Sequence, residues 1–278
     1  MRRIAVALSA AASLTACVEG PAGPPGPAGP AGDKWAFTCP PDSVRSGTVC
    51  IDTYEASVWQ TTAPAVIAKI RDGTVTLADL TAAGATQFGF APLGYGSCGD
   101  GADGCENFYA VSLAGVPPSR FMTWFQAVVF TRNAHKRLPT NQEWQAAAHG
   151  TPDPGVSAAG SADCNTANGG GAGVPLAVPT GSRASCVSDV GAFDMVGNVE
   201  EWVADWVPRS KPPCLAPMFP NDDWTCLVGV LTFPTETGPG ALIRGGAFDN
   251  GTKAGLFAMT GLNAPSARTW TYGFRGAR

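Results

Sequence analysis

Histidine is scarce in this 278-residue chain, which has only His135 and His149, so a metal centre built on three imidazoles is excluded. Charge is scarce as well: Asp, Glu, Lys and Arg make up 14% of the residues, and the net charge is −4. That balance lacks the basic face nucleic-acid binding requires. No apolar run reaches the ~20 residues a membrane-spanning helix needs. No Cys-x-x-Cys pair occurs, which removes the common zinc-thiolate and thiol-redox spacings.

What is present points outward from the cytoplasm. Met1, Arg2 and Arg3 precede the short apolar run Ile4 to Leu14, the pattern of a secretory signal. Leu14-Thr15-Ala16-Cys17 then resembles a bacterial lipobox, in which cleavage exposes a cysteine that is lipidated with palmitate-type chains. The alternative is a secreted protein cut after Ala16. The expected organisation is therefore a signal peptide over residues 1–16, lipidated Cys17 with a spacer over 17–35, and a globular domain over 36–278. Lipid-anchored display at the cell envelope, on the outer membrane or cell surface, follows from it.

The spacer from Gly20 to Gly32 keeps a strict Gly-X-Y period with proline at X. Four triplets are few for a stable triple helix, so an extended polyproline-II stalk of about 3.1 Å per residue is expected. A weak trimer through this collagen-like repeat is the other possibility.

Nine cysteines less Cys17 leave an even number in an exported chain, which favours full pairing. They fall into four close couples: Cys39 with Cys50, Cys98 with Cys105, Cys164 with Cys186, and Cys214 with Cys226. A bridge across each couple is expected to stabilise the fold by about 2–4 kcal/mol. With 45% hydrophobic residues and 8 tryptophans the chain can build a core, and its 35 glycines and 24 prolines favour loops over a helical bundle.

Two helices are predicted. Thr123 and Gln126 form a Thr-x-x-Gln capping box before a face of Phe121, Phe125, Val128 and Val129. Thr140 and Glu143 form a second box before a buried stripe of Trp144, Ala147 and Ala148. Strands are expected within Cys226 to Phe233 and Ala241 to Phe248.

Five segments resemble the formylglycine-generating enzyme (sulfatase-modifying factor) domain family. They are Val49 to Ala56, Lys136 to Trp144, Gly191 to Trp202, Arg244-Gly245-Gly246-Ala247-Phe248 and Gly273-Phe274-Arg275, spread over about residues 47–278. The resemblance implies an α+β, C-type-lectin-like fold, loop-rich and disulfide-stapled, with few short strands and two or more helices. It also implies a structural calcium ion held by the carboxylates of Asp194 and Glu201 and the carbonyls of Gly197 and Val199, hard oxygen donors suited to that ion. The competing role for Glu201 is a cap or salt bridge.

Oxidases of this family bind copper(I) through two cysteines after the Arg-Gly-Gly motif, and soft thiolates are the right ligands for that ion. The corresponding positions here are Asn250 and Gly255, so copper is not expected. Relatives that use iron hold it with three histidines, whereas His135 and His149 sit at helix ends where capping roles are usual. The C-terminal segment looks closer to members of the fold that display ligand-binding surfaces. By that likeness Asp249, Asn250, Lys253, Arg268, Trp270 and Tyr272 are candidate contacts for a protein or glycan ligand. Two functions stay open: a surface binding module, or an oxidoreductase of the formylglycine-generating type that uses other residues.

Overall fold

The computed structural model describes residues 37–90, 94–157, 161–166, 177–208, 222–227 and 238–278. The expected signal peptide, Cys17, the Gly-Pro spacer, Cys214 and most of the predicted strand after Cys226 lie outside these residues.

A hairpin of β1 (Ser43–Ser46) and β2 (Val49–Asp52) turns at Gly47, whose φ of +61° suits a residue without Cβ. Strand β3 (Ala56–Gln60) lies between β4 (Thr86–Phe88) and β5 (Phe108–Ser112), all antiparallel. Two short helices, α1 (Pro64–Arg71) and α2 (Leu77–Ala82), connect β3 to β4. Next come α3 (Trp124–Asn133) and α4 (Asn141–Ala148), and the chain ends in a mixed five-stranded sheet. Its members are β6 (Glu200–Val207), β7 (Thr225–Cys226), β8 (Gly240–Arg244), β9 (Met259–Asn263) and β10 (Tyr272–Phe274), in the order β10-β6-β8-β9-β7. This α+β arrangement of short strands, long loops and bridges is the C-type-lectin-like architecture of the resembled family.

Both helix starts obey local chemistry. Thr123 accepts from the Gln126 N–H while the Gln126 side chain accepts from the Thr123 N–H, and Thr140 with Glu143 does the same. The buried stripe of α4 is Trp144, Ala147 and Ala148 as expected. The buried face of α3 differs from the expected one: Gln126, Ala127, Phe130 and Thr131 point inward. Phe125, Val128 and Val129 are only half-buried, because Phe125 packs edge-on against the exposed Trp206 ring instead of the core.

The core behind the three-stranded sheet is aromatic, with Phe108, Phe130, Tyr95 and Phe274 in mutual contact. Such packing contributes about 0.5–1.5 kcal/mol per pair beyond area burial. A second core gathers Ile51, Trp144, Met195, Val203 and Leu242 under the five-stranded sheet. Disulfides join Cys39 to Cys50, Cys98 to Cys105 and Cys164 to Cys186. Cys226 is disulfide-bonded too. Bridges of this kind mark an oxidising compartment, and among the described residues no helix is long and apolar enough to cross a membrane.

Candidate functional site

Two glycine-bearing motifs shape the region. In Gly273-Phe274-Arg275, a Cβ at position 273 would lie 2.5 Å from Val199 Cγ2, so only glycine lets β10 run in parallel beside β6. That register delivers Arg275 to Glu201. In Arg244-Gly245-Gly246, both glycines have positive φ, and a Cβ at 246 would meet Ala254 Cα at 2.5 Å. The turn ends β8 and carries the chain through Asn250 into a 3-10 turn over Gly251–Lys253.

Beneath the sheet lies a buried charge cluster. Glu201 Oε1 accepts from Arg275 Nε and Nη2 at 2.9 and 2.6 Å, and Oε2 accepts from Arg275 Nε at 2.7 Å and from Trp144 Nε1 at 2.7 Å. Glu55 accepts from the Val199 N–H at 3.0 Å and from the Asn198 side chain. Burial, followed by repulsion from Asp194 and Glu201, holds the Glu55 carboxyl well above the ordinary carboxylate range. Asp194 is pushed up to about 6, chiefly by burial; its Oδ2 accepts from the Gly181 N–H, and its Oδ1 is buried without a partner. Asp194 and Asn198 both take positive φ, at 58° and 55°, a conformation non-glycine residues seldom adopt.

This geometry gives Glu201 the salt-bridge role that competes with calcium binding. Three N–H groups donate to its carboxylate, with the Arg275 Nε–H shared between both oxygens, so most of its roughly four acceptor directions are used. The partnerless Asp194 Oδ1 is the one feature of the set that suits a metal ion. Among the described residues no group of three or more His, Cys, Asp or Glu side chains is arranged to hold one.

The opposite face of the same sheet, which Glu200 shares with Trp202, Ile243 and Tyr272 of the aromatic core, carries the other candidates. A half-open slot with a water-accessible volume of about 10 Å³ is lined by Glu200, Trp224, Asn250, Lys253 and Met259. Glu200 Oε2 accepts from Thr271 Oγ1 at 3.0 Å, and burial together with the charge of Asp249 pushes the Glu200 carboxyl up to about 7. Lys253 Nζ stands over the Trp224 ring, 5.9 Å from its centroid. Asn250 Oδ1 accepts from the Ala247 N–H at 2.9 Å, and its Nδ2 donates to Asp249 Oδ1 at 3.1 Å. Trp270 packs edge-on against Phe248, adjacent in sequence to Asp249.

Sequence candidates Asp249, Asn250, Lys253 and Trp270 thus follow one stretch of surface. Arg268 is engaged elsewhere, in an exposed ion pair with Asp100 at 2.8 Å. Tyr272 is corrected: it is buried, packed edge-on against Trp202 at 5.0 Å, because its neighbours in β10 and β6 close over the ring. Gly255 is buried, and a Cβ there would lie 1.7 Å from Asp223 Oδ1. His149 caps the end of α4 and meets Asp189 at 2.9 Å, while His135 is an exposed residue of positive φ after α3. Glu200 and Trp224 were missed from sequence. Period-two alternation could have found Glu200, because it neighbours Glu201 and must face the other way.

A family model for the sulfatase-modifying factor enzyme 1-like domain matches residues 104–278, a shorter stretch than the motifs that begin near residue 47. No curated protein matches the chain. Similar solved structures include the Major Tropism Determinant M1 variant, at 17% identity and TM-score 0.42, covering 87% of this chain and 53% of that one. CarF is similar at 17% identity and TM-score 0.38, covering 83% and 85%. Treponema denticola variable protein 1 is similar at 20% identity and TM-score 0.36, covering 59% and 71%. The chain spans about half the length of the first of these structures.

Proposed function

The chain belongs to the sulfatase-modifying factor enzyme 1-like domain family, and from that premise we propose that it is a binding module rather than an oxidase. In this reading a lipid on Cys17 and the Gly-Pro stalk display the domain at the cell envelope, and the slot beside Glu200 and Trp224 meets a protein or glycan.

One observation carries the reading: position 255 is closed. A copper(I) site of the family type needs two thiolates converging on the ion, and any side chain at 255 would run into Asp223. At the companion position, the Asn250 side chain is used to hold the turn through Ala247. Every cysteine among the described residues is disulfide-bonded, so none of them offers a thiolate. The water-accessible volume of the slot, about 10 Å³, is far below the several hundred Å³ of a usual substrate pocket. Half-exposed Trp224 on its wall is the residue type that anchors interfaces.

Alkylation of the full-length, membrane-extracted protein under non-reducing conditions, followed by mass spectrometry, tests this. The expected result is no alkylated thiol and an acyl modification on Cys17. Two alkylated thiols from one cleft would overturn the binding reading. An unmodified Cys17 would overturn the anchor.

A further inference from the structure

Glu200 is a partly buried carboxylate whose described bonding partner is a neutral hydroxyl, Thr271 Oγ1. Among the described residues no Lys or Arg lies within ion-pair distance of it. Lys253 lines the same slot, yet its ammonium stands over the Trp224 ring. Asp249 adds negative charge nearby. The slot therefore offers an uncompensated carboxylate at its floor and an aromatic wall that already receives a cation.

Size and charge narrow the ligand. With a water-accessible volume of about 10 Å³ in a half-open slot, the site suits the tip of a side chain and not a sugar ring or a cofactor. An anion entering it would face Glu200 and Asp249. A cation on a thin apolar stem meets both needs, since carboxylates accept strong charge-assisted hydrogen bonds and tryptophan faces attract cations. Trp224, on the slot wall, is 42% exposed, a half-buried aromatic of the kind that anchors a macromolecular contact and not a free amine.

Resting on the binding-module reading, we infer that the Glu200–Trp224 slot receives a lysine or arginine side chain of a protein partner. The incoming cation pairs with Glu200, its stem lies along Trp224, and Lys253 swings off the ring into solvent.

Fluorescence anisotropy with the full chain and labelled oligolysine, oligoarginine and oligoglutamate peptides tests this, with n-butylamine as competitor. The basic peptides are expected to bind and oligoglutamate is not. Glu200→Gln should weaken binding about tenfold or more, and Lys253→Met should strengthen it severalfold by freeing the ring. Glu106→Gln, an exposed acid outside the slot that changes net charge equally, should leave it unchanged. Equal losses in Glu200→Gln and Glu106→Gln would show diffuse charge attraction and overturn the slot. No binding of either basic peptide would overturn it too. Competition by n-butylamine at the same concentration as the peptides would make the slot an amine site and overturn the protein partner. Any of these failures leaves the binding-module reading to stand or fall on the thiol measurement, which does not involve Glu200.

Discussion

Glu200 and Glu201 are consecutive residues of one strand, and their surroundings are opposite. Glu201 faces α4, where Arg275 and Trp144 donate to it. Glu200 faces the other way, lines the slot and accepts from Thr271. One carboxylate is compensated by its own chain and serves the fold; the other is left for something outside. The contrast follows from strand alternation, from Gly273, which lets β10 bring Arg275 within reach, and from the double-glycine turn that bends the Asn250 segment around the slot.

The largest effect should come from breaking the inner pair. Arg275→Met leaves Glu201 buried and uncompensated beside Glu55 and Asp194, which costs about 3–5 kcal/mol; urea unfolding should show the midpoint falling or the folded state lost. A midpoint within error of wild type would mean that Glu201 is not held as described. Next in size is Trp144→Phe, which keeps the ring in place but removes the donor to Glu201 Oε2. Its expected cost is about 1–3 kcal/mol, read from the same transition.

The outer carboxylate should behave in the opposite sense. Glu200 is raised from 4.5 to about 7 in the folded state, so the folded chain holds its proton where the unfolded chain has lost it. Its contribution is therefore full below about pH 4.5 and declines as pH rises through 7. Glu200→Gln removes that decline, and at pH 8 it should stabilise the protein by about 1 kcal/mol, whereas Glu201→Gln should destabilise it. Thermal melts of both variants from pH 4 to pH 8 would show the two curves diverging; parallel curves would erase the distinction between the faces. The smallest effect is expected from metal removal. With Arg275 paired to Glu201, a calcium chelator should leave the melting midpoint of the wild type unchanged, and a lowered midpoint would return Glu201 or Asp194 to the role of metal ligand.

Features set by near neighbours were legible in the sequence. Capping boxes at Thr123 and Thr140 depend on side chains three residues apart, and the close cysteine couples at 39/50, 98/105 and 164/186 needed only short loops to close. Long-range features were not legible. Nothing local says that Arg275 crosses the chain to Glu201. The inward face of α3 differs from the expected one because Phe125 turns toward Trp206 while Val128 and Val129 pack only partly against the core, and Tyr272 is buried by Trp202, seventy positions away. Trp224 sits in a Pro- and Cys-rich stretch without periodicity, so only β7 pairing with β9 reveals that it walls a slot.

The distinction between binding and oxidation can be measured on product. Full-length protein reconstituted with copper(I) and oxygen, and given a cysteine-containing sulfatase-type peptide, should return the peptide unchanged in mass spectra. Conversion of its cysteine to the aldehyde would contradict the account.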